Sequence, residues 1–83
     1  MYSEVQKLNR FFKLATKNEI DKLRENLILT TRQEKIFEMF YIKKQNRGFI
    51  ADSLFVSESV ISKELHIIRD KMQKVGKNLG IFR

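Results

Sequence analysis

The sequence predicts an all-α fold of four to five helices that ends in a long C-terminal helix. The chain has no proline and only three glycines in 83 residues, so few residues interrupt a helix. Apolar residues recur at three- and four-residue steps, and no stretch keeps the two-residue alternation typical of a strand.

The composition favours one small folded unit and excludes several classes of protein. Apolar residues make up 42% of the chain, which is ordinary for a globular domain. There is no cysteine and His66 is the single histidine, so we expect no disulfide, no metal site and no cofactor. No apolar run approaches the ~20 residues that span a bilayer, and no signal-peptide core is visible. The expected location is therefore cytoplasmic.

The formal net charge of +7 favours a polyanionic partner, because lysine and arginine contact phosphates and release counterions. Basic residues also keep many small domains soluble, and here they are spread evenly along the chain. Charge alone does not choose between these two interpretations.

Residues 1–28 are predicted to form an N-terminal helical segment that serves packing or dimerisation. A first helix is expected from about Ser3 to Ala15, with Val5 on its apolar stripe. Thr16 and Glu19 then fit a capping box, in which each side chain bonds a backbone N–H of the other residue. The sequence is compatible with a break at this point and with one continuous helix.

Residues 29–83 are predicted to complete the same compact unit. Thr30 and Gln33 fit a second capping box, and the helix that follows should reach about Lys44. Its broad apolar face contains Ile36, Phe37, Phe40 and Tyr41. A polar and basic connection comes next, and Asn46 suits the N-cap of the following helix.

A tight turn is predicted between a short helix carrying Ile50, Ala51 and Leu54 and a second helix that Ser57 caps. The second helix should persist to about Val75, with Gly76 as its stop. Two such helices around a tight turn describe a helix-turn-helix, whose second helix enters the DNA major groove.

The last helix carries an apolar series at alternating steps of four and three residues: Ile61, Leu65, Ile68, Met72, Val75 and Leu79. We expect the series up to Met72 to be core, although a 3.5-residue repeat can also form a dimer seam. Val60 and Ile67 lie on a flank, where they either pack on the N-terminal helices or form a small exposed patch.

From residue 29 to residue 72 the sequence resembles the DNA-binding domain of LuxR-type regulators and the related fourth region of bacterial sigma factors. The matching residues keep their spacing without a gap: Leu29, Thr30, Arg32, Gln33, Ile36, Phe37, Ile50, Ala51, Leu54, Ser57, Glu58, Ser59, Ile61, Leu65, Ile68, Lys71 and Met72. This covers about half of the chain. It implies a bacterial or phage transcription regulator that binds double-stranded DNA, and we expect a homodimer because one short helix reads few bases.

Two residues depart from the family pattern. Phe55 stands at the turn position where the family has glycine, so either the turn has another geometry or the ring is anchored in the core. Phe49 stands where the family has a polar residue. We expect it to be additional core, with an exposed contact for a partner as the alternative.

Four residues of the last helix are candidates for contacts with base edges. A rotation of about 100° per residue places them on the face opposite the apolar series: Ser59, Ser62, Lys63 and His66. The resemblance implies that the positions of Ser62, Lys63 and His66 reach the bases. Lys63 can donate to guanine, and the other three can donate or accept. Plain solvent exposure explains the serines equally well.

A second set of residues are candidates for contacts with DNA phosphates: Arg32, Lys35, Lys43, Lys44, Arg47, Ser57, Arg69 and Lys71. Each of these is also compatible with a solvated side chain. Enzymatic activity is not expected, because nothing in the sequence suggests a nucleophile or a general base. The alternative function is a sigma-like module that docks on RNA polymerase or another regulator.

Overall fold

The computed structural model describes residues 4–80, and this part of the chain contains helices and no strand, which confirms the all-α class. The α-helices are α1 (Glu4–Leu14), α2 (Lys17–Glu25), α3 (Thr31–Phe37), α4 (Arg47–Leu54) and α5 (Glu58–Leu79). A π-helical segment, Glu38–Ile42, follows α3 directly. Within the same residues, no helix is both long and apolar enough to cross a membrane.

The chain groups into two compact units. One comprises the chain up to Ile28 together with the chain from Arg69 onward, and the other is Leu29–Ile68. One boundary of the second unit falls after Ile28, and the second half of α5 groups with the N-terminal segment. A helix of 22 residues is about 33 Å long, so its apolar face can serve more than one cluster.

In the first unit, the chain breaks between α1 and α2. Thr16 has extended backbone, and both bonds of its capping box with Glu19 are present. The N–H of Glu19 donates to Thr16 Oγ1 at 3.3 Å, and the N–H of Thr16 donates to Glu19 Oε1 at 3.2 Å. The predicted start of α1 at Ser3 and the side chain of Val5 lie outside the described residues.

The buried side chains of this unit come from both ends of the chain: Leu8, Phe11, Phe12, Leu23, Leu27 and Met72. The rings of Phe11 and Phe12 meet edge to face with centroids 5.2 Å apart. The α5 residue Lys71 adds a polar tie, because its Nζ donates to the carbonyl oxygen of Ile28 at 2.8 Å.

In the second unit, α3 begins as predicted but ends earlier than the expected Lys44. The capping box of Thr30 and Gln33 is confirmed in both directions, at 3.2 and 3.1 Å. After the π-helical segment Lys44 takes a left-handed conformation with φ of 58°. The N–H of Gln45 then bonds the carbonyl of Met39 at 2.9 Å, which satisfies a carbonyl of the last turn and closes the helix.

The apolar series of α5 is buried as predicted: Ile61, Leu65, Ile68 and Met72. Ile36, Phe37 and Ile50, which belong to the second unit, are also fully buried. The helix faces that carry these residues are therefore buried, and the opposite faces are available to partners.

The N-cap of α4 is confirmed, since Asn46 Oδ1 accepts from the N–H of Phe49 at 2.8 Å. We predict that Asn46→Ala lowers the free energy of unfolding by about 1 kcal/mol, because one of the free N–H groups at the helix start loses its acceptor. Urea denaturation followed by circular dichroism measures the change. Asn18→Ala is the matched control, because Asn18 is an exposed residue in the first turn of α2. An equal loss of stability in both variants would contradict the capping role.

The connection between α4 and α5 contains the clearest departure from expectation. Phe55 is left-handed, with φ of 58° and ψ of 43°, and its side chain is 94% exposed. The N–H of Val56 donates to Ala51 O at 3.0 Å and that of Phe55 to Asp52 O at 3.3 Å, the pair of bonds that defines a Schellman motif.

Both expectations for Phe55 are therefore wrong. The backbone has the geometry that glycine commonly supplies, and the ring is in solvent rather than in the core. A left-handed conformation costs a non-glycine residue roughly 1–2 kcal/mol. No burial of the ring offsets this cost in the described chain.

The expectation for Phe49 is corrected, and the two flank residues of α5 differ in exposure. Phe49 is 51% exposed, so it is not additional core, because it lies away from the face of α4 that buries Ile50 and Ala51. On the flank of α5, Val60 is half-buried and Ile67 is 41% exposed.

The predicted stop of α5 at Gly76 is wrong. The helix runs through Gly76, which is buried, and ends at Leu79. Gly80 has φ of 67°, and its N–H bonds the carbonyl of Lys77 at 3.2 Å. Gly80, four residues after Gly76, is thus the glycine that supplies the left-handed residue after the helix.

Candidate nucleic-acid interface

The start of α5 is held by Ser57, which the sequence analysis named as its cap. Ser57 Oγ accepts from the N–H of Val60 at 3.3 Å, and the Ser57 carbonyl accepts the first helical bonds from Val60 and Ile61. These bonds fix the start of the first turn of α5 at Ser57. Ser57 Oγ already accepts one hydrogen bond. Its hydroxyl hydrogen remains the group that it can offer to a phosphate oxygen.

The residues predicted to contact bases share one face of α5. Ser59, Ser62, Lys63 and His66 are all exposed. Successive residues turn by about 100°, so these four fall within roughly 100° of arc, and the centre of that arc lies about 140° from that of the buried series. The structure thus brings together hydroxyl, ammonium and imidazole groups, which cover the donors and acceptors that base edges require.

Six of the residues predicted to contact phosphates are exposed within the second unit: Arg32, Lys35, Lys43, Lys44, Arg47 and Ser57. The guanidinium of Arg47 lies over the ring of Phe40, with its central carbon 5.2 Å from the ring centroid. A cation–π contact of this kind restricts the side chain while leaving N–H groups at its edge for an anion.

Arg69 and Lys71 differ from these six residues. Both are half-buried and belong to the part of α5 that groups with the N-terminal segment. Lys71 spends one of its N–H donors on the carbonyl of Ile28. This partner was not predicted, because the two residues are 43 positions apart in sequence and no local signal links them.

Acidic side chains limit where a nucleic acid can approach. Asp52 on α4 and Glu58 at the start of α5 are both exposed. Glu58 Oε1 lies 3.7 Å from the position that a Cβ atom would take on Gly48. No role was predicted for either carboxylate, although the exposure of both follows from the apolar faces of the same helices.

In the described part of the chain, no group of three or more histidine, cysteine, aspartate or glutamate residues is placed to hold a metal ion. The exposed face of α5 offers hydrogen bonds and positive charge.

We compared the chain with protein-family models, with curated proteins and with solved structures, and no match was found in any of the three comparisons.

Proposed function

We propose that this chain binds double-stranded DNA in a sequence-specific manner as a transcription regulator, with the first half of α5 in the major groove. The observation that carries the proposal is the division of α5 into two faces. Ile61, Leu65 and Ile68 anchor the helix in the second unit, and the face that carries Lys63 is exposed. An anchored helix with an exposed polar face is what base readout in the major groove requires.

Each group has a defined role in this proposal. Lys63 donates to O6 or N7 of guanine, and His66, Ser59 and Ser62 donate to or accept from neighbouring base edges. The exposed basic residues of the second unit contact the phosphates and fix the position of the helix. The partially engaged Arg69 and Lys71 contribute less than the others.

A homodimer completes the proposal, because one short helix covers too few base pairs for a specific site. A two-fold arrangement predicts a palindromic target with half-sites separated by about one turn of DNA, or a multiple of it. A cytoplasmic location belongs to the same proposal.

The test is a binding-site selection with the purified full chain, followed by titration of selected and random duplexes. We expect the selected duplex to bind at least ~1,000-fold more tightly than random DNA. For both, the logarithm of the binding constant should fall linearly with the logarithm of salt concentration, by about 0.9 per phosphate contact. Absent binding, salt-insensitive binding or equal affinity for both duplexes would overturn the proposal.

A second candidate function is a protein-interaction module that docks on RNA polymerase or another regulator. The exposed aromatic residues Phe49 and Phe55 favour it, because aromatic side chains are enriched at protein interfaces. Co-purification with polymerase in the absence of duplex affinity would select this function over DNA binding.

A further inference from the structure

The exposed ring of Phe55 calls for an explanation outside the described chain. Its left-handed backbone is unfavourable for a residue with a Cβ atom, and its side chain is 94% exposed. The hydrogen bonds that close α4 use the backbone of Phe55, whereas its ring gains no burial, and strained residues cluster at binding and switch sites. An exposed ring at a strained position is therefore a candidate for contact with a partner.

A short row of exposed side chains on α4 leads to Phe55. Phe49 and Asp52 are three residues apart on the helix and are therefore neighbours on its surface. Phe55 follows the last residue of α4, and its N–H donates to the carbonyl oxygen of Asp52 at 3.3 Å. Ile50 and Ala51 bury the other face of α4, which directs this row toward solvent. We call Phe49, Asp52 and Phe55 the α4 ridge.

A second carboxylate accompanies the α4 ridge. Glu58 reaches back from α5 toward Gly48, where the absence of a side chain leaves room for its Oε1 atom. Gly48 and Asp52 are four residues apart and therefore lie on the same side of α4. Two exposed phenylalanines and two carboxylates thus share one region of a chain whose net charge is +7.

We propose that the α4 ridge, with Glu58 beside it, is a docking surface for a segment of another protein that carries apolar and basic side chains. The phenylalanine rings supply apolar area, and the two carboxylates select a cationic partner by charge complementarity. The same carboxylates repel phosphates, so DNA is not the occupant. The proposal does not depend on DNA binding by α5.

The experiment selects binders for this 83-residue chain from a displayed library of random peptides, and removes those that also bind Phe55→Gly. Glycine suits the left-handed position, so this variant keeps the fold while it loses the ring. We expect the enriched peptides to combine aliphatic or aromatic residues with lysine or arginine. In titrations, Asp52→Lys should weaken their binding at least tenfold.

Ile28→Ala is the matched control, because it removes an exposed apolar side chain elsewhere and should leave peptide affinity unchanged. Enrichment of acidic peptides, enrichment of none, or equal binding by Asp52→Lys would overturn the proposal. Light scattering tests whether a second copy of the same chain covers the α4 ridge instead. A wild-type dimer that Phe55→Gly converts to a monomer would show that a second copy covers the ridge, and would also overturn it. Affinity for a selected duplex should be unchanged in Phe55→Gly, which keeps a failure here distinct from a failure of DNA binding.

Discussion

Lys63→Glu should weaken binding to a selected duplex by roughly 10- to 100-fold while the chain remains folded. A good contact between a side chain and a base edge contributes about 1–3 kcal/mol of discrimination, and each 1.4 kcal/mol corresponds to a factor of ten. The glutamate also brings a carboxylate toward the phosphates. Because Lys63 is exposed on α5, its replacement leaves no cavity and no unpaired buried group.

Fluorescence anisotropy with selected and random duplexes measures this effect, and thermal denaturation verifies the fold. Lys22→Glu is the matched control, since it makes the same change of charge at an exposed position of α2. We expect Lys22→Glu to lower affinity slightly and equally for all duplexes. An equal loss in the two variants would mean that Lys63 contributes only through net charge.

Ile61→Ala should lower the free energy of unfolding by about 2–5 kcal/mol. Ile61 is fully buried in the second unit, and alanine removes three carbon atoms and leaves a cavity. Small domains have total stabilities of about 5–15 kcal/mol, so the loss is a large fraction of the whole. DNA affinity should fall together with the folded population, because the exposed face of α5 depends on the anchored one.

Ile67→Ala is the control that separates the effect of losing a buried side chain from the effect of the same substitution on helix propensity. It is the same substitution on the same helix, but Ile67 is 41% exposed. Urea denaturation should show a change of less than about 1 kcal/mol, since little cavity forms and alanine is the better helix former. Similar losses for the two variants would contradict the assignment of Ile61 to the core and of Ile67 to the surface.

Local chemistry made much of this fold predictable from the residues. The caps at Thr16, Thr30, Asn46 and Ser57 were identified correctly, because a cap is formed by a side chain and the backbone only three residues away. The buried series of α5 was also predicted, since helical periodicity alone determines which residues share a face.

Helix ends that were predicted from the position of a glycine were less reliable. Gly76 and Gly80 both look like stops, and only the fold shows that Gly76 is buried inside α5 while Gly80 turns the chain. In the same way, the bond from Lys71 to Ile28 depends on residues that are distant in sequence.

The residues alone determine an all-α chain, the starts of α3, α4 and α5 and the side of α5 that carries Lys63, because each depends on interactions within a few positions. The tertiary structure decides that Phe55 is left-handed with its ring in solvent, and that Phe49 joins it on the surface. These outcomes depend on how α4 presents Ile50 and Ala51 to the core and on the hydrogen bonds that close its end. A sequence pattern specifies neither of them, since an apolar side chain satisfies the same pattern whether it is buried or exposed.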